Sequence, residues 1–283
     1  MRRTSLQRAA RRAARTVLPS GRVVLELPDW AGFGNQLYYY LHAFVEGSRG
    51  REVPLIVPSG RGEAWLERFP ALRELTAVGP RAGWRDALRT TSWDEVTRFG
   101  ESFTRAELGA FVDRYLQPVL RVHPAAARDD ALVVNVRRGD YFSDPSVRGL
   151  MSMDQPAYLR VAVELAREQR GGRPWETVTV VSDDPSWCAA RLGFLAEHGG
   201  TLDVRPGGDP VADLRTVASA SELVIVNSTF SMWGAYVAGH ARAETPPLVV
   251  VPAFSVRPFT GRPPANLDPR WTVVHDIPGG WDS

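Results

Sequence analysis

At 283 residues with 44% hydrophobic and 23% charged residues, the chain can bury a large core and has room for one large domain or two modest ones. The formal net charge of +2 argues against nucleic acid as a general partner. The single cysteine, Cys188, excludes an internal disulfide and a cysteine metal cluster, and it is consistent with a reducing compartment.

Residues 1–20 form a basic leader with two open interpretations. Its arginines meet no acidic residue before Glu26. The leader lacks the uninterrupted apolar core of a signal peptide, and no later run approaches the length of a membrane span. We therefore expect a cytoplasmic protein. The leader is either a disordered tail or a segment in peripheral contact with the inner face of the membrane, with its arginines over anionic headgroups.

The first strand signal leads into a glycine loop and a helix, in the stretch VVLELPDWAGFGNQLYYYLHAF. Gly32 and Gly34 lie where a dinucleotide-binding loop begins, but the position of its third glycine is Leu37. A dinucleotide site is therefore disfavoured. The loop places Asn35 and Gln36 at a strand-to-helix corner, where their amide groups can approach substrate hydroxyls. The tyrosines that follow favour a helix that faces the core.

The rest of the chain has two patterns. Residues 61–124 have helical periods and no convincing strand. From Ala131 onward, short β-branched runs alternate with helical segments, which predicts a parallel sheet covered on both faces. The predicted strands are ALVVNV, ETVTVVS, TLDVRP, ELVIVN and LVVVPA. Asp154 is the predicted N-cap of a helix with Pro156 in its first turn.

Ligands of parallel sheets bind where the strands end and the next helices begin. The loops expected at this edge are RRGDYFSDP, SDDPSW, PGGDP and NSTFS. Arginines can hold a pyrophosphate in bidentate fashion, hydroxyls and helix N-termini can hold other phosphate oxygens, and carboxylates can accept from ribose or base edges. The loops therefore predict a site for a phosphorylated, sugar-bearing nucleotide.

The chain resembles the bacterial α-1,2-fucosyltransferases (glycosyltransferase family 11) over residues 23–252, through the ordered motifs GFGNQL, VNVRRGDY, VVSDDPSWC and DLRTVASASELVIVNSTFSMWGAYV. The resemblance implies a GT-B-like, two-lobed α/β fold with a C-terminal Rossmann-like parallel-sheet donor domain. It also implies transfer of L-fucose from GDP-fucose to the 2-hydroxyl of a galactose-terminated glycan, with inversion at the anomeric carbon and without a metal.

By resemblance, Arg138 holds the β-phosphate and neutralises the departing GDP. The acidic pair falls on Asp183 and Asp184, and Asp213 occupies the acidic position before the nucleotide-contacting segment. The donor-binding residues implied by the resemblance are Gly34, Asn35, Arg137, Arg138, Asp183, Asp184, Asp213, Ser228, Thr229 and Phe230.

Two positions depart from the family pattern. Asn135 stands where the family has a histidine, so that position holds no group that titrates near neutral pH. Met232 stands where the family has the first of two tryptophans, and it can loosen the packing or the acceptor pocket. Both changes bear on the acceptor and on catalytic efficiency more than on the donor.

The chemistry assigns roles without the family. Breaking a bond to a nucleoside diphosphate puts negative charge on the departing phosphate, which a fixed cation stabilises, and Arg138 fits that role. An inverting transfer also needs a group that takes the acceptor's proton, usually a carboxylate. Asp140, Asp144 and Asp29 are the candidates by loop position, and the choice among them stays open.

Other interpretations also stay open. The aspartate pair could simply cap the helix that starts at Pro185, or it could hold Mg²⁺, although no third ligand is evident. The enzyme could use another GDP-sugar or a non-galactose acceptor, or the chain could be a catalytically weak nucleotide-sugar-binding protein. After the leader we expect an acceptor-side lobe at residues 21–127 and a donor-binding lobe at 128–283, with a linker at 125–130.

Overall fold

The computed structural model describes residues 23–28, 30–58, 62–77, 87–89, 91–123, 130–257, 264–276 and 280. The basic leader, Asp29 and most of the expected linker lie outside the described residues. The chain divides into two compact units, Met1–Val119 and Leu120–Ser283, so the division falls before the expected boundary between 127 and 128. The reason is local: Leu120 is buried, and its carbonyl accepts a hydrogen bond from Arg215 Nε in the second unit (2.8 Å).

The first unit is built on a small parallel sheet. Its strands are β1 (Val23–Glu26), β2 (Leu55–Val57) and β3 (Ala87–Arg89), in the order β2-β1-β3. The expectation that residues 61–124 contain no strand is wrong at β3. A strand of three residues carries too little alternation to be recognised in a sequence, and its pairing with β1 forms it instead.

The helices of the first unit enclose an aromatic core. They are α1 (Phe33–Ser48), α2 (Gly62–Arg68), α3 (Trp93–Thr97) and α4 (Arg105–Phe111), with a 3₁₀ helix at Pro70–Leu75 and a π-helical turn at Val112–Leu116. The short helix α5 (Gln117–Leu120) ends on the first residue of the second unit. Tyr38, Tyr39 and Tyr40 are all buried, so the prediction of a core-facing aromatic helix is confirmed.

The second unit has a six-stranded parallel sheet in the order β6-β5-β4-β7-β8-β9. The strands are β4 (Ala131–Val136), β5 (Trp175–Ser182), β6 (Gly199–Val204), β7 (Glu222–Ile225), β8 (Leu248–Pro252) and β9 (Thr272–Val274). The five predicted strands are confirmed, and β9 is an edge strand that the sequence analysis missed. This is the strand order of doubly wound dinucleotide-binding folds. Successive strands are added toward one edge from β4 to β6 and toward the other edge from β7 to β9, so the order reverses between β4 and β7.

Helices follow the strands of this sheet. They are α6 (Gly139–Ser143), α7 (Pro145–Met151), α8 (Gln155–Gln169), α9 (Pro185–Arg191), α10 (Pro210–Ala218) and α11 (Thr229–Ala241), with a 3₁₀ helix at Gly193–His198. Asp154 caps α8 as predicted, by accepting from Ala157 N (2.9 Å). Successive residues of β4 are buried, so both of its faces are covered. Two α/β units, each on a parallel sheet, confirm the predicted fold class.

An ion pair fastens the end of α1 to the start of α4. Arg49 donates to both oxygens of Glu107, with Nε–Oε1 at 2.6 Å and Nη2–Oε2 at 2.8 Å. Glu107 also completes a capping box with Thr104, whose backbone N–H donates to Oε2 (2.8 Å). The hydrogen bonds from Arg49 lower the pKa of Glu107 from 4.5 to about 2. The carboxylate therefore stabilises the fold only when it is charged.

We expect Glu107→Gln to lower the free energy of unfolding by about 1 to 2 kcal/mol at pH 7, because the charge-assisted pair with Arg49 is lost while the amide oxygen can still accept from Thr104. Since folding lowers this pKa, the contribution is fully present above pH 4.5 and is lost as the pH falls toward 2. Urea unfolding at pH 7 and at pH 3 measures both effects. Glu101→Gln is the control, because Glu101 is 72% exposed and its pair with Arg98 is 3.4 Å long. An equal loss in both variants would contradict the prediction.

Candidate functional site

The candidate site lies at the carboxyl edge of the second sheet, where the strand order reverses. Arg137 and Arg138 follow β4, and Asn227 and Ser228 follow the neighbouring strand β7. In sheets of this topology the connections on either side of the reversal run to opposite faces, which leaves a crevice at the strand ends. The loops that were predicted to bind the nucleotide therefore meet at the position where the fold provides a crevice.

The carboxylate of Asp183 joins two of these loops. Oδ1 accepts from the backbone N–H of Arg138 (2.7 Å), and Oδ2 accepts from Arg137 Nη1 (2.7 Å). Gly139 leaves the space for this contact, because a Cβ at that position would lie 2.5 Å from Asp183 Oδ2. Asp183 thus holds the loop after β4 against the loop after β5. Asp183 was predicted from the sequence to belong to the site, whereas Gly139 was not. A glycine directly after an arginine pair was a signal that another group packs closely against the backbone there.

Arg137 is held by two acids. Besides Asp183, Asp140 accepts from its Nη2 through Oδ1 (2.7 Å). Burial disfavours the charge of this guanidinium, but the two carboxylates outweigh burial and raise the pKa of Arg137. Its backbone carbonyl accepts from Gln155 Nε2 at the start of α8 (2.7 Å). We call Arg137, Arg138, Asp140 and Asp183 the switch-point cluster.

Arg138 has a different environment from its neighbour. Its guanidinium carbon lies 3.3 Å from the ring centre of Phe142 and 3.8 Å from that of Trp187. Phe142 belongs to α6 and Trp187 to α9, so one ring follows β4 and the other follows β5. Neither aromatic residue was predicted from the sequence to belong to the site.

Several of the predicted acids are helix caps. Asp144 caps α7, where its Oδ1 accepts from Ser146 N (2.9 Å) and Ser146 Oγ (2.6 Å). These hydrogen bonds, first that of the Ser146 side chain, lower the pKa of Asp144. Asp184 caps α9 by accepting from Trp187 N (3.1 Å). The capping interpretation of the aspartate pair therefore applies to Asp184 and not to Asp183. Both caps precede a proline at the first helical position, a local signal that was available in the sequence.

An acidic pocket of about 360 Å³ opens beside the cluster. It is lined by Asp183, Pro185, Gly207, Gly208, Pro210 and Asp213. Burial, together with the nearby charge of Asp209, raises the pKa of Asp213. The pocket thus presents carboxylate acceptors to a ligand that offers N–H or O–H donors.

The loop after β7 meets the loop after β4 through Tyr141. The hydroxyl of Tyr141 lies 3.5 Å from the carbonyl oxygen of Asn227 and beside the hydroxyl of Ser228. Burial raises the pKa of Tyr141 to about 12, so the phenol is a neutral donor. Ser228 is buried directly before α11, and Thr229 and Phe230 are half-buried in its first turn. Tyr141 was missed because its motif drew attention only to the charged residues.

The two departures from the family pattern have structural roles. Asn135 is buried on β4, where its Nδ2 donates to Val181 O (2.9 Å) and its Oδ1 accepts from Ser231 Oγ on α11. Asn135 therefore links β4 to β5 and to α11 through hydrogen bonds of a neutral amide, which is a structural role. Met232 is also buried, and its sulfur accepts from Asn266 Nδ2 (2.9 Å).

The remaining predicted residues, Gly34 and Asn35, lie in the first turn of α1 in the first unit. Gly34 is buried and Asn35 is half-buried. The next residue, Gln36, is buried and donates to Ala31 O (2.8 Å), so its amide shapes the loop. Among the described residues, no group of three or more His, Cys, Asp or Glu side chains is arranged to hold a metal ion. No helix in the same residues is long and apolar enough to span a membrane.

Comparison with known proteins identifies the family of this chain. The model of "Glycosyl transferase family 11" matches residues 118–274, which is more than half of the chain. Galactoside alpha-(1,2)-fucosyltransferase 1 of Mus musculus is 27% identical over 165 residues, 57% of this chain and 42% of the relative. Alpha-1,2-colitosyltransferase of Escherichia coli is 24% identical over 107 residues, 38% of this chain and 36% of the relative. The chain thus spans less than half of either relative.

A solved structure of POFUT1 in complex with GDP is also similar, with a TM-score of 0.34 and 15% identity. The alignment covers 65% of this chain and 57% of that one.

The close approach at Gly139 predicts the effect of adding one methyl group. We expect Gly139→Ala to destabilise the protein by about 1 to 3 kcal/mol, because the new Cβ must displace the carboxylate of Asp183 from its hydrogen bonds. Gly149→Ala is the matched control, since no atom lies within 4 Å of a Cβ at that helical position. The control should be neutral or stabilise by up to about 1 kcal/mol. Thermal unfolding compares the two, and equal effects would refute the packing argument.

Proposed function

The chain belongs to glycosyl transferase family 11, and we propose that it is an inverting, metal-independent transferase that moves L-fucose from GDP-fucose to the 2-hydroxyl of a galactoside. The observation that carries the proposal is the switch-point cluster, in which two arginines and two aspartates are held at the strand reversal of a doubly wound sheet. Such reversals are where folds of this topology bind nucleotides.

The diphosphate is the first part of the proposed donor. Negative charge grows on the departing phosphate during transfer, and a cation fixed in advance stabilises it without reorganisation. In our proposal Arg138 supplies that cation. The start of α11, with the hydroxyls of Ser228 and Thr229, adds the backbone N–H groups that hold phosphate oxygens at helix N-termini.

The base is the second part. Guanine offers two neighbouring donors, its ring N1–H and its exocyclic amino group, and one carboxylate can accept from both. We assign this role to Asp213 in the acidic pocket. The position supports the assignment, because a carboxylate that is costly to keep charged in the free protein gains from a ligand with matching donors.

The acceptor proton needs a base on the other face of the sugar. Asp144 is engaged as a helix cap, and Asp29 lies outside the described residues. We therefore propose Asp140, whose side chain is 49% exposed and whose orientation the ion pair with Arg137 fixes. A transition state with strong oxocarbenium character needs only weak assistance from such a base.

The sugar is the least constrained part of the proposal. The mouse relative is named for fucose transfer to a galactoside, whereas the Escherichia coli relative is named for colitose. A GDP-linked sugar other than fucose, a different acceptor, or nucleotide-sugar binding with weak turnover are therefore the alternatives that the assay must separate.

The direct test is a transfer assay with GDP-fucose and lactose, with and without EDTA. We expect an α-1,2-linked fucosyl product in both conditions, identified by NMR. Arg138→Ala should lower kcat by about 10² to 10³, as removal of a fixed transition-state donor does. Arg191→Ala is the control, because Arg191 is exposed at the end of α9. Transfer that requires another nucleotide sugar, or GDP binding without any transfer, would overturn the fucose assignment.

A second test separates binding from stability at Asp213. We expect Asp213→Asn to weaken GDP binding about tenfold while ADP binding stays unchanged, because only guanine loses a charged acceptor. The raised pKa means that the charged carboxylate opposes folding: the cost grows as the pH rises from 3.8 through the folded-state pKa of Asp213 and stays constant above it. The variant should therefore unfold at an equal or higher temperature than the wild type at pH 7. Asp203→Asn on β6 is the control. Parallel loss of GDP and ADP binding would contradict the assignment.

A further inference from the structure

We infer that Trp187 and Phe142 are positioning residues, which hold the guanidinium of Arg138 in the position and orientation in which it contacts the diphosphate of the donor. This inference rests on the proposed function, because it assumes that Arg138 binds a phosphate.

Two aromatic rings lie against the guanidinium of Arg138. The guanidinium carbon of Arg138 lies 3.3 Å from the ring centre of Phe142 and 3.8 Å from that of Trp187. Both distances are well inside the 6 Å or so within which cation–π attraction acts. Arginine stacks in this way because its guanidinium is flat and weakly hydrated. The two rings therefore restrict where the cation can lie.

Each ring is held in turn by its helix. Trp187 lies in the first turn of α9, where its backbone N–H donates to the cap residue Asp184 (3.1 Å). Its side chain packs against the hydrophobic core of the second unit. Phe142 belongs to α6, whose first residue is the tightly packed Gly139. The stack is therefore anchored to the elements that follow two adjacent strands.

The two arginines have different roles in this arrangement. Arg137 gives N–H donors to Asp183 and Asp140, so its charge is largely neutralised within the protein. An aromatic face stabilises a guanidinium through its π electrons and leaves the N–H donors, which lie in the cation's own plane, to other acceptors. Stacking also freezes side-chain rotations that phosphate binding would otherwise have to restrict. The rings thus prepare Arg138 for a bidentate contact with phosphate oxygens.

The inference predicts a specific kinetic pattern for the full chain with GDP-fucose and lactose. Trp187→Ala should lower kcat about tenfold and change KM for the donor less than threefold, since the contact of a half-buried ring with a cation is worth roughly five- to thirtyfold. Trp187→Phe should restore most of kcat, because it retains an aromatic face. Phe194→Ala is the matched control. Arg160 lies 3.8 Å from the ring centre of Phe194, outside the switch-point cluster, so this variant loses a similar contact without loss of kcat.

A double-mutant cycle shows whether Trp187 acts through Arg138. Calorimetry uses GDP, which carries the full charge that the departing group has gained and the intact donor lacks. Trp187→Ala should weaken GDP binding several-fold in the wild type but by less than twofold in the Arg138→Ala background. An equal effect in both backgrounds would overturn the inference, as would full activity of Trp187→Ala. These outcomes differ from failure of the proposed function, in which Arg138→Ala itself would leave both GDP binding and transfer unchanged.

Discussion

The candidate site depends on the carboxylate of Asp183, which accepts from the backbone of Arg138 and from the side chain of Arg137 at the same time. Its two oxygens join the loop after β4 to the loop after β5. The join is possible because Gly139 has no side chain. Once these loops are fixed, α6 and α9 each bring an aromatic ring against the guanidinium of Arg138. A single carboxylate therefore sets both the charge balance and the shape of the site.

The two adjacent arginines of the loop after β4 have different environments. Arg137 is paired with acids, which makes it part of the framework. Arg138 lies against two aromatic rings, and a π face stabilises a cation without accepting hydrogen bonds from the N–H groups in the cation's plane. Asn135, in the position of the family histidine, belongs to the framework as well, because its hydrogen bonds connect β4 to β5 and α11.

Much of the second unit could be predicted from the sequence, because five of its six strands are long enough to show β-branched runs between helical segments. The strands β2, β3 and β9 could not be recognised, since three residues carry almost no periodicity and depend on pairing with a neighbour. The loops that were predicted to form the site follow neighbouring strands of this sheet, but the contacts of their side chains could not be predicted from the sequence. Asp144 and Asp184 proved to be caps, and the stack of Trp187 on Arg138 depends on two helices that meet only in the fold.

The central claim is that the crevice beside the switch-point cluster binds GDP, and a crystal structure of the protein with GDP tests it most directly. The account predicts the diphosphate between Arg138 and the start of α11, with the guanine in the acidic pocket within hydrogen-bond distance of Asp213. The stack of Trp187 and Phe142 on Arg138 should persist in the complex. A nucleotide bound away from the carboxyl edge of this sheet, or a diphosphate that does not contact Arg138, would contradict it.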